Sequence, residues 1–198
     1  MSAIVLLVRH GESAANADAA VPRRDDPPLT ARGRDQAARA AAALARTGID
    51  ALFSSPLRRA RETADAIAAA TGLASAVLPG LAEVGMGALS DPDSPEGRAE
   101  RDAIFSAWLA GDRRRGFPGG ETFAAVTGRV REALLAAARG RPGARVAMVT
   151  HRVPIAAAAA LAGHAGAPGG CPNGSITELR QDGERWTLVA YGEARHLA

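Results

Sequence analysis

The sequence predicts a single α/β domain organised around a largely parallel sheet, and three observations carry that prediction. Short apolar runs alternate with Ala-rich stretches of helical length along the chain, the pattern of a layered α/β structure. The first run, Ile4-Val5-Leu6-Leu7-Val8, is continuously apolar rather than alternating, which suits a strand covered on both faces. No internal repeat or long linker divides the 198 residues, a length that one hydrophobic core can serve.

Each element has a local reason. The strand at residues 4–8 runs into the polar turn Arg9-His10-Gly11-Glu12-Ser13. Thr30 is the expected N-cap of a helix reaching residue 46, with Gly48 as its stop. Residues 51–53 form a second short strand. Ser54-Ser55-Pro56 reads as a helix entrance, with Ser55 as N-cap and Pro56 in the first turn; that helix is expected to reach residue 70 and stop at Gly72. Residues 76–78 are a third strand. Gly, Pro, Asp and Ser dominate residues 80–97, which predicts an irregular loop. Helices are expected over 96–110 and 122–139, the second with Phe123, Val126, Val130 and Leu134 at helical spacing as its core face. Residues 145–150 form another apolar strand, again followed by a histidine, His151, and then by an Ala-rich helix to residue 161. Residues 175–180 and 186–191, split by Gln181-Asp182-Gly183-Glu184, predict a terminal hairpin.

Composition excludes several function classes. The hydrophobic content of 47% and charged content of 23% are ordinary for a globular domain. The pI of about 10.2 sits beside a net charge of only +3, because all 24 basic residues are Arg and Arg stays charged to very high pH. These Arg residues are interleaved with Asp and Glu, and aromatics make up 4%, a poor basis for a nucleic-acid-binding stripe. The lone Cys171 supports neither an intramolecular disulfide nor a thiolate cluster. It is also not a thiol-phosphatase nucleophile, since Thr177 stands where that loop requires Arg. Without Lys there is no Walker A loop. The run at 4–8 is too short for a signal-peptide core, and no stretch is long enough to span a membrane. A cytoplasmic protein that binds neither membrane nor nucleic acid is the expectation.

Two strands ending in histidine, Val8-Arg9-His10 and Val149-Thr150-His151, carry the chemistry. Neighbouring parallel strands would set both imidazoles at one sheet edge, beyond which open α/β sheets bind ligands. The strand before Ser54-Ser55-Pro56-Leu57-Arg58-Arg59 would bring a guanidinium to the same edge. Two His and two Arg make a cationic pocket suited to a phosphoryl group and require neither metal nor cofactor.

At these residues the chain resembles the histidine phosphatase superfamily, the phosphoglycerate-mutase-like proteins. Leu7-Val8-Arg9-His10-Gly11-Glu12-Ser13 with Asn16 matches its signature. Leu29-Thr30-Ala31-Arg32-Gly33, Ser54-Ser55-Pro56-Leu57-Arg58-Arg59-Ala60 with Glu62-Thr63-Ala64, Gly119-Gly120-Glu121-Thr122, Val149-Thr150-His151 and Asn173-Gly174-Ser175 follow in the family's order. The resemblance implies a three-layer fold with a mostly parallel central sheet flanked by helices. It implies that His10 is the nucleophile and becomes a phosphohistidine, and that Arg9, Arg59 and His151 cradle the phosphoryl oxygens. Asn16 adds a neutral donor. Glu83 falls where the family places the acid that protonates the leaving oxygen and then activates water. Glu12 is read as structural, and His164 and His196 as surface residues.

The chain departs from the family pattern at Arg152, which stands where the second histidine is usually followed by Gly. Segments 17–26, with Arg23 and Arg24, 84–97, and 111–118, with Arg113-Arg114-Arg115, are read as lids that set specificity; for the Arg triplet itself a solvated turn after a helix is the favoured reading, and a pocket-facing position would point to a polyanionic or carboxylated substrate. The segment after Glu83 lacks the basic and aromatic residues found there in cofactor-dependent mutases. Metal-independent hydrolysis of a small phosphorylated metabolite is therefore favoured over mutase activity and over a non-catalytic phospho-ligand binder. A homodimer is compatible with the sequence, which does not fix the oligomeric state.

Overall fold

A computed structural model describes residues 2–18, 26–88, 94–164 and 170–198. Six strands, β1 (Ser2–Arg9), β2 (Ala51–Ser54), β3 (Ser75–Val77), β4 (Arg145–Thr150), β5 (Ile176–Asp182) and β6 (Arg185–Glu193), form one sheet in the order β3-β2-β4-β1-β5-β6. Pairings β2–β3, β2–β4 and β1–β4 are parallel, while β1–β5 and β5–β6 are antiparallel. The helices are α1 (Ala14–Ala17), α2 (Ala31–Thr47), α3 (Arg58–Thr71), α4 (Pro95–Leu109), α5 (Phe123–Ala138) and α6 (Arg152–Leu161).

The continuously apolar strands are buried on both faces, with the period-2 alternation of a pleated sheet deciding which side chain goes where. Val5, Leu7, Val146 and Met148 pack with Ile104 and Trp108 of α4, Val126, Val130 and Leu134 of α5 and Ile155 of α6. Leu6, Val8, Ala147 and Val149 face the other way, onto Ala40, Ala41 and Leu44 of α2 and Ala60, Ala64 and Ile67 of α3. Three layers result. The Ala-rich faces of α2 and α3 let these helices lie close to the sheet, and truncating a large core residue here costs about 2–5 kcal/mol.

Caps and stops follow the sequence in most places. Thr30 and Thr122 cap α2 and α5 by accepting from Gly33 and Ala125 amides, and Gly72 ends α3 in the left-handed region at φ 73°. The entrance to α3 differs from expectation. Ser55 is not its N-cap and Pro56 is not its first residue; the helix starts at Arg58 after Leu57. The Ser55 hydroxyl is engaged by the His151 ring instead, and the chain bends at Pro56 and Leu57 before the helix begins.

Two glycines set the approach of α2 to the turn after β1. A Cβ on Gly11 would collide with the Gly33 carbonyl oxygen, and one on Gly33 with that of Glu12. Glu12 secures the same junction: its backbone oxygen accepts from the Thr30 amide at 2.9 Å and its carboxylate from the Thr30 hydroxyl at 2.8 Å. Among the described residues, no helix is long and apolar enough to cross a membrane.

Candidate active site

The carboxyl ends of β1 and β4 lie side by side, with Arg9 opposite Thr150, so the residue after each strand leaves the sheet at the same edge. The His10 amide donates to the Thr150 carbonyl at 3.0 Å. The two imidazole rings stand with centroids 5.0 Å apart and planes tilted by 56°. Both are nearly sealed, His10 at 3% exposure and His151 at 0%.

Hydrogen bonds fix the tautomer of His10. Nδ1 lies 2.7 Å from the Gly11 carbonyl oxygen; a carbonyl only accepts, so Nδ1 carries the proton. Nε2 then holds a lone pair, and Arg59 Nε donates to it at 3.3 Å. The ring thus presents its lone-pair nitrogen to the Arg59 guanidinium.

Arg59 reaches this position from the first turn of α3. Thr63, one turn on, is fully buried and works both ways: its hydroxyl donates to the Arg59 carbonyl at 2.8 Å and accepts from the Gly11 amide at 3.1 Å. One side chain therefore couples the helix that carries Arg59 to the turn that carries His10. The Arg59 side chain, 12% exposed, also pairs with Asp26 at 3.1 Å. Asp26, at φ 49°, accepts from the Arg58 amide at the start of α3 as well.

Arg9 is held from behind, its Nη1 donating to the Cys171 carbonyl at 2.6 Å. Asn173 backs the same turn by donating to the His10 carbonyl at 2.9 Å. It also donates to Asn16 Oδ1 at 3.2 Å, which accepts in addition from the Ser13 amide and hydroxyl. With its oxygen so occupied, Asn16 has its two amide protons left to offer.

His151 caps α6 in position but not through its side chain. Its Nε2 meets the Ser55 hydroxyl at 2.7 Å, and its buried Nδ1 has no hydrogen-bond partner among the described residues. Burial pushes its pKa well below the usual imidazole value, and the guanidinium charges of Arg59 and Arg9 push it the same way. His151 is therefore neutral at pH 7.

Glu83 comes from the segment after the 3-10 turn Pro79–Leu81, and a clamp fixes that segment. Arg129 of α5 donates to the carbonyls of Gly80 at 2.8 Å and Ala82 at 2.7 Å, and to that of Glu83 at 3.3 Å. Its guanidinium is paired with Glu121 at 2.7 and 2.9 Å, and Glu121 accepts from the Gly85 amide at 2.7 Å. The Arg129 partner holds the Glu121 carboxyl below the usual range despite the opposing effect of burial. Thr150 adds a bond to the Leu81 carbonyl at 2.7 Å, tying this segment to the end of β4.

A cavity of about 860 Å³ opens over these groups; Arg9, His10, Asn16, Arg59, Glu83 and Arg152 line it, and His151 sits against His10. Arg23 and Arg24 lie outside the described residues. Of the segments read as lids, 84–97 supplies Val84, Met86, Gly87 and Ala88 to the cavity, and 111–118 supplies none. Arg113-Arg114-Arg115 are exposed, with Arg113 over the Phe123 ring. His164 is exposed and stacks near Tyr191; His196 is half-buried and bonds to the Gly174 carbonyl. Among the described residues, no group of three or more His, Cys, Asp or Glu could hold a metal ion.

Asp26, the end of the 17–26 segment, lines the cavity; sequence reading missed Arg101 and Phe105 as lining residues, and Ser55, Thr63 and Arg129 as the supports of His151, Arg59 and Glu83. Thr63, Ser55 and Glu121 were visible in the motif blocks, but their partners are distant in sequence. Arg129 looks like any cation on a helix.

The profile of the histidine phosphatase superfamily, branch 1, matches residues 5–194. A probable phosphoglycerate mutase, GpmB, of Escherichia fergusonii is 32% identical over 151 residues, 76% of this chain and 70% of that protein. A mycobacterial glucosyl-3-phosphoglycerate phosphatase solved with VO3 superposes with a TM-score of 0.81 at 31% identity, covering 96% of this chain and 98% of its own. Bacillus stearothermophilus YhfR superposes with a TM-score of 0.85 at 25% identity, covering 99% and 100%.

Proposed function

The chain belongs to the histidine phosphatase superfamily, branch 1, and from that premise we propose that it is a metal-independent phosphomonoesterase acting on a small phosphorylated metabolite through phospho-His10. The observation that carries this reading is the fixed tautomer of His10, with the proton on Nδ1 and a lone pair on Nε2.

In the first step Nε2 attacks phosphorus. The bond from phosphorus to the ester oxygen breaks, its electron pair leaves with the oxygen, and Glu83 in its acid form supplies the proton. Arg9, Arg59 and the Asn16 amide face the oxygens on which negative charge spreads, a preorganised arrangement of the kind that accelerates phosphoryl transfer most. His151 joins them as a neutral donor: with the Ser55 hydroxyl donating to Nε2, its Nδ1 carries the proton. In the second step the Glu83 carboxylate takes a proton from water, the water oxygen attacks phosphorus, and the phosphorus–nitrogen bond returns its electrons to His10. Inorganic phosphate leaves and Glu83 is again protonated.

Hydrolysis is favoured over phosphoryl return to substrate because the segment after Glu83 is small and apolar, Val84-Gly85-Met86-Gly87-Ala88, with no group there to hold a bisphosphate. The relative named as a probable mutase makes isomerisation the second reading. Purified protein with chelator present is expected to release phosphate from phenyl phosphate, and His10→Ala to reduce this by roughly a thousandfold or more. Full activity in that variant would sink the mechanism; primer-dependent isomerisation of 3-phosphoglycerate without phosphate release would turn the reading to mutase.

A further inference from the structure

We propose that the cavity carries a second anion subsite centred on Arg152, which selects phosphomonoesters bearing a carboxylate elsewhere on the molecule. This inference rests on the phosphatase reading for its first subsite and extends it to a substrate class.

Arg152 is the first residue of α6. A cation there faces the positive end of the helix dipole, which favours anions. Local helix energetics thus give no reason for Arg at this position, and a bound anion would relieve the conflict. The guanidinium does not turn out to bulk solvent. It lies over the Phe105 ring of α4, 5.2 Å from the centroid, and lines the same cavity as His10 and Glu83. Stacking on a ring face leaves the N–H edge of a guanidinium open to a planar, bidentate acceptor.

The charge around it is uncompensated. Arg59 faces Asp26 and Arg101 faces Asp102, whereas Arg152 has no carboxylate partner among the described residues. The titratable groups beside it do not supply one: burial raises the Cys171 thiol and pushes the Tyr191 phenol up to about 12, so both are neutral at pH 7. One unbalanced guanidinium calls for one monoanionic group, and a carboxylate matches its fork in shape and charge. Met86, Val84 and Val153 also line the cavity and would pack against the carbon chain joining the two anions.

The test uses ligands that cannot turn over. ω-Carboxyalkyl phosphonates of increasing chain length are titrated calorimetrically against ω-hydroxyalkyl phosphonates of the same length, with wild type and Arg152→Gln. In wild type the carboxylated ligand is expected to bind roughly tenfold to a hundredfold tighter at the length that spans the two subsites, the effect of one charge-assisted hydrogen bond. In Arg152→Gln that ratio falls toward one. The ratio is taken within each protein, so a general loss of affinity from disturbing His151 cancels. Equal affinities at every length, a preference that survives in Arg152→Gln, or no phosphonate binding overturns the subsite. Phenyl phosphate, which has no carboxylate, reads the hydrolase separately: turnover without carboxylate preference removes only the subsite, and preference without turnover removes only the hydrolase.

Discussion

The floor of the cavity and the wall formed by α4 and the start of α6 are built on different principles. On the floor the residues are tied into the scaffold: the His10 ring to the Gly11 carbonyl, the Arg9 guanidinium to that of Cys171, His151 to the Ser55 hydroxyl, and the helix carrying Arg59 through Thr63 to the His10 turn. Glu83 sits in a segment clamped at four backbone positions by Arg129 and Glu121. On the wall, Arg152 rests on an aromatic ring, in a cavity also lined by Met86, Gly87 and Ala88. A reacting group must be held within a fraction of an ångström to accelerate chemistry, while a group that only discriminates between substrates tolerates a softer seat. On the proposed function the scaffold holds the phosphoryl chemistry, and selectivity is left to side chains that can change without disturbing it.

Substitutions on the floor should lower the chemical step. The largest effect short of removing His10 is expected for Glu83→Gln, which keeps shape but cannot donate a proton. Its rate of phosphorylation by an alkyl phosphate should fall by about 10²–10⁴-fold, and by much less for 4-nitrophenyl phosphate, whose leaving group needs no proton. The comparison is made on the phosphorylation step, read as the pre-steady-state burst of leaving-group release, because the later role of Glu83 toward water is common to both substrates; equal losses in that burst would remove the acid role and blur the floor–wall distinction.

A smaller effect concerns the buried imidazole of the floor. His151 has a folded pKa well below its unfolded value near 6.5, so the folded state binds fewer protons there than the unfolded chain. The stability it contributes is complete above that unfolded value and is lost as pH falls through the folded one. Urea unfolding followed from about pH 7.5 to 5 should show a declining midpoint in wild type and a flatter profile in His151→Gln. Parallel profiles would mean that the floor is not sealed as described.

The floor was legible in sequence because its chemistry sits at strand ends. Val8-Arg9-His10 and Val149-Thr150-His151 announce themselves as apolar runs stopped by polar residues, and their adjacency follows once the strands are parallel neighbours. Arg59 was legible from the motif around Pro56, although the start of its helix was placed too early, because the Ser55 hydroxyl serves His151 rather than a helix amide. The supports were not legible. Arg129 lies 46 residues from Glu83, and Thr63 lies 52 from Gly11, and no periodicity links such pairs. The wall was least legible of all: Phe105 and Arg101 occupy a helix whose pattern explains only its core face, so their second role appears only with the fold.

The central claim is that His10 itself takes the phosphoryl group. Rapid mixing with phenyl phosphate, quenching in alkali and peptide mass mapping tests it directly. The account predicts one phosphoryl group on the peptide containing His10, stable in base, lost in acid, and formed and discharged as fast as turnover. Steady turnover with no phosphoryl group on the protein, or with the group on any other residue, would contradict it.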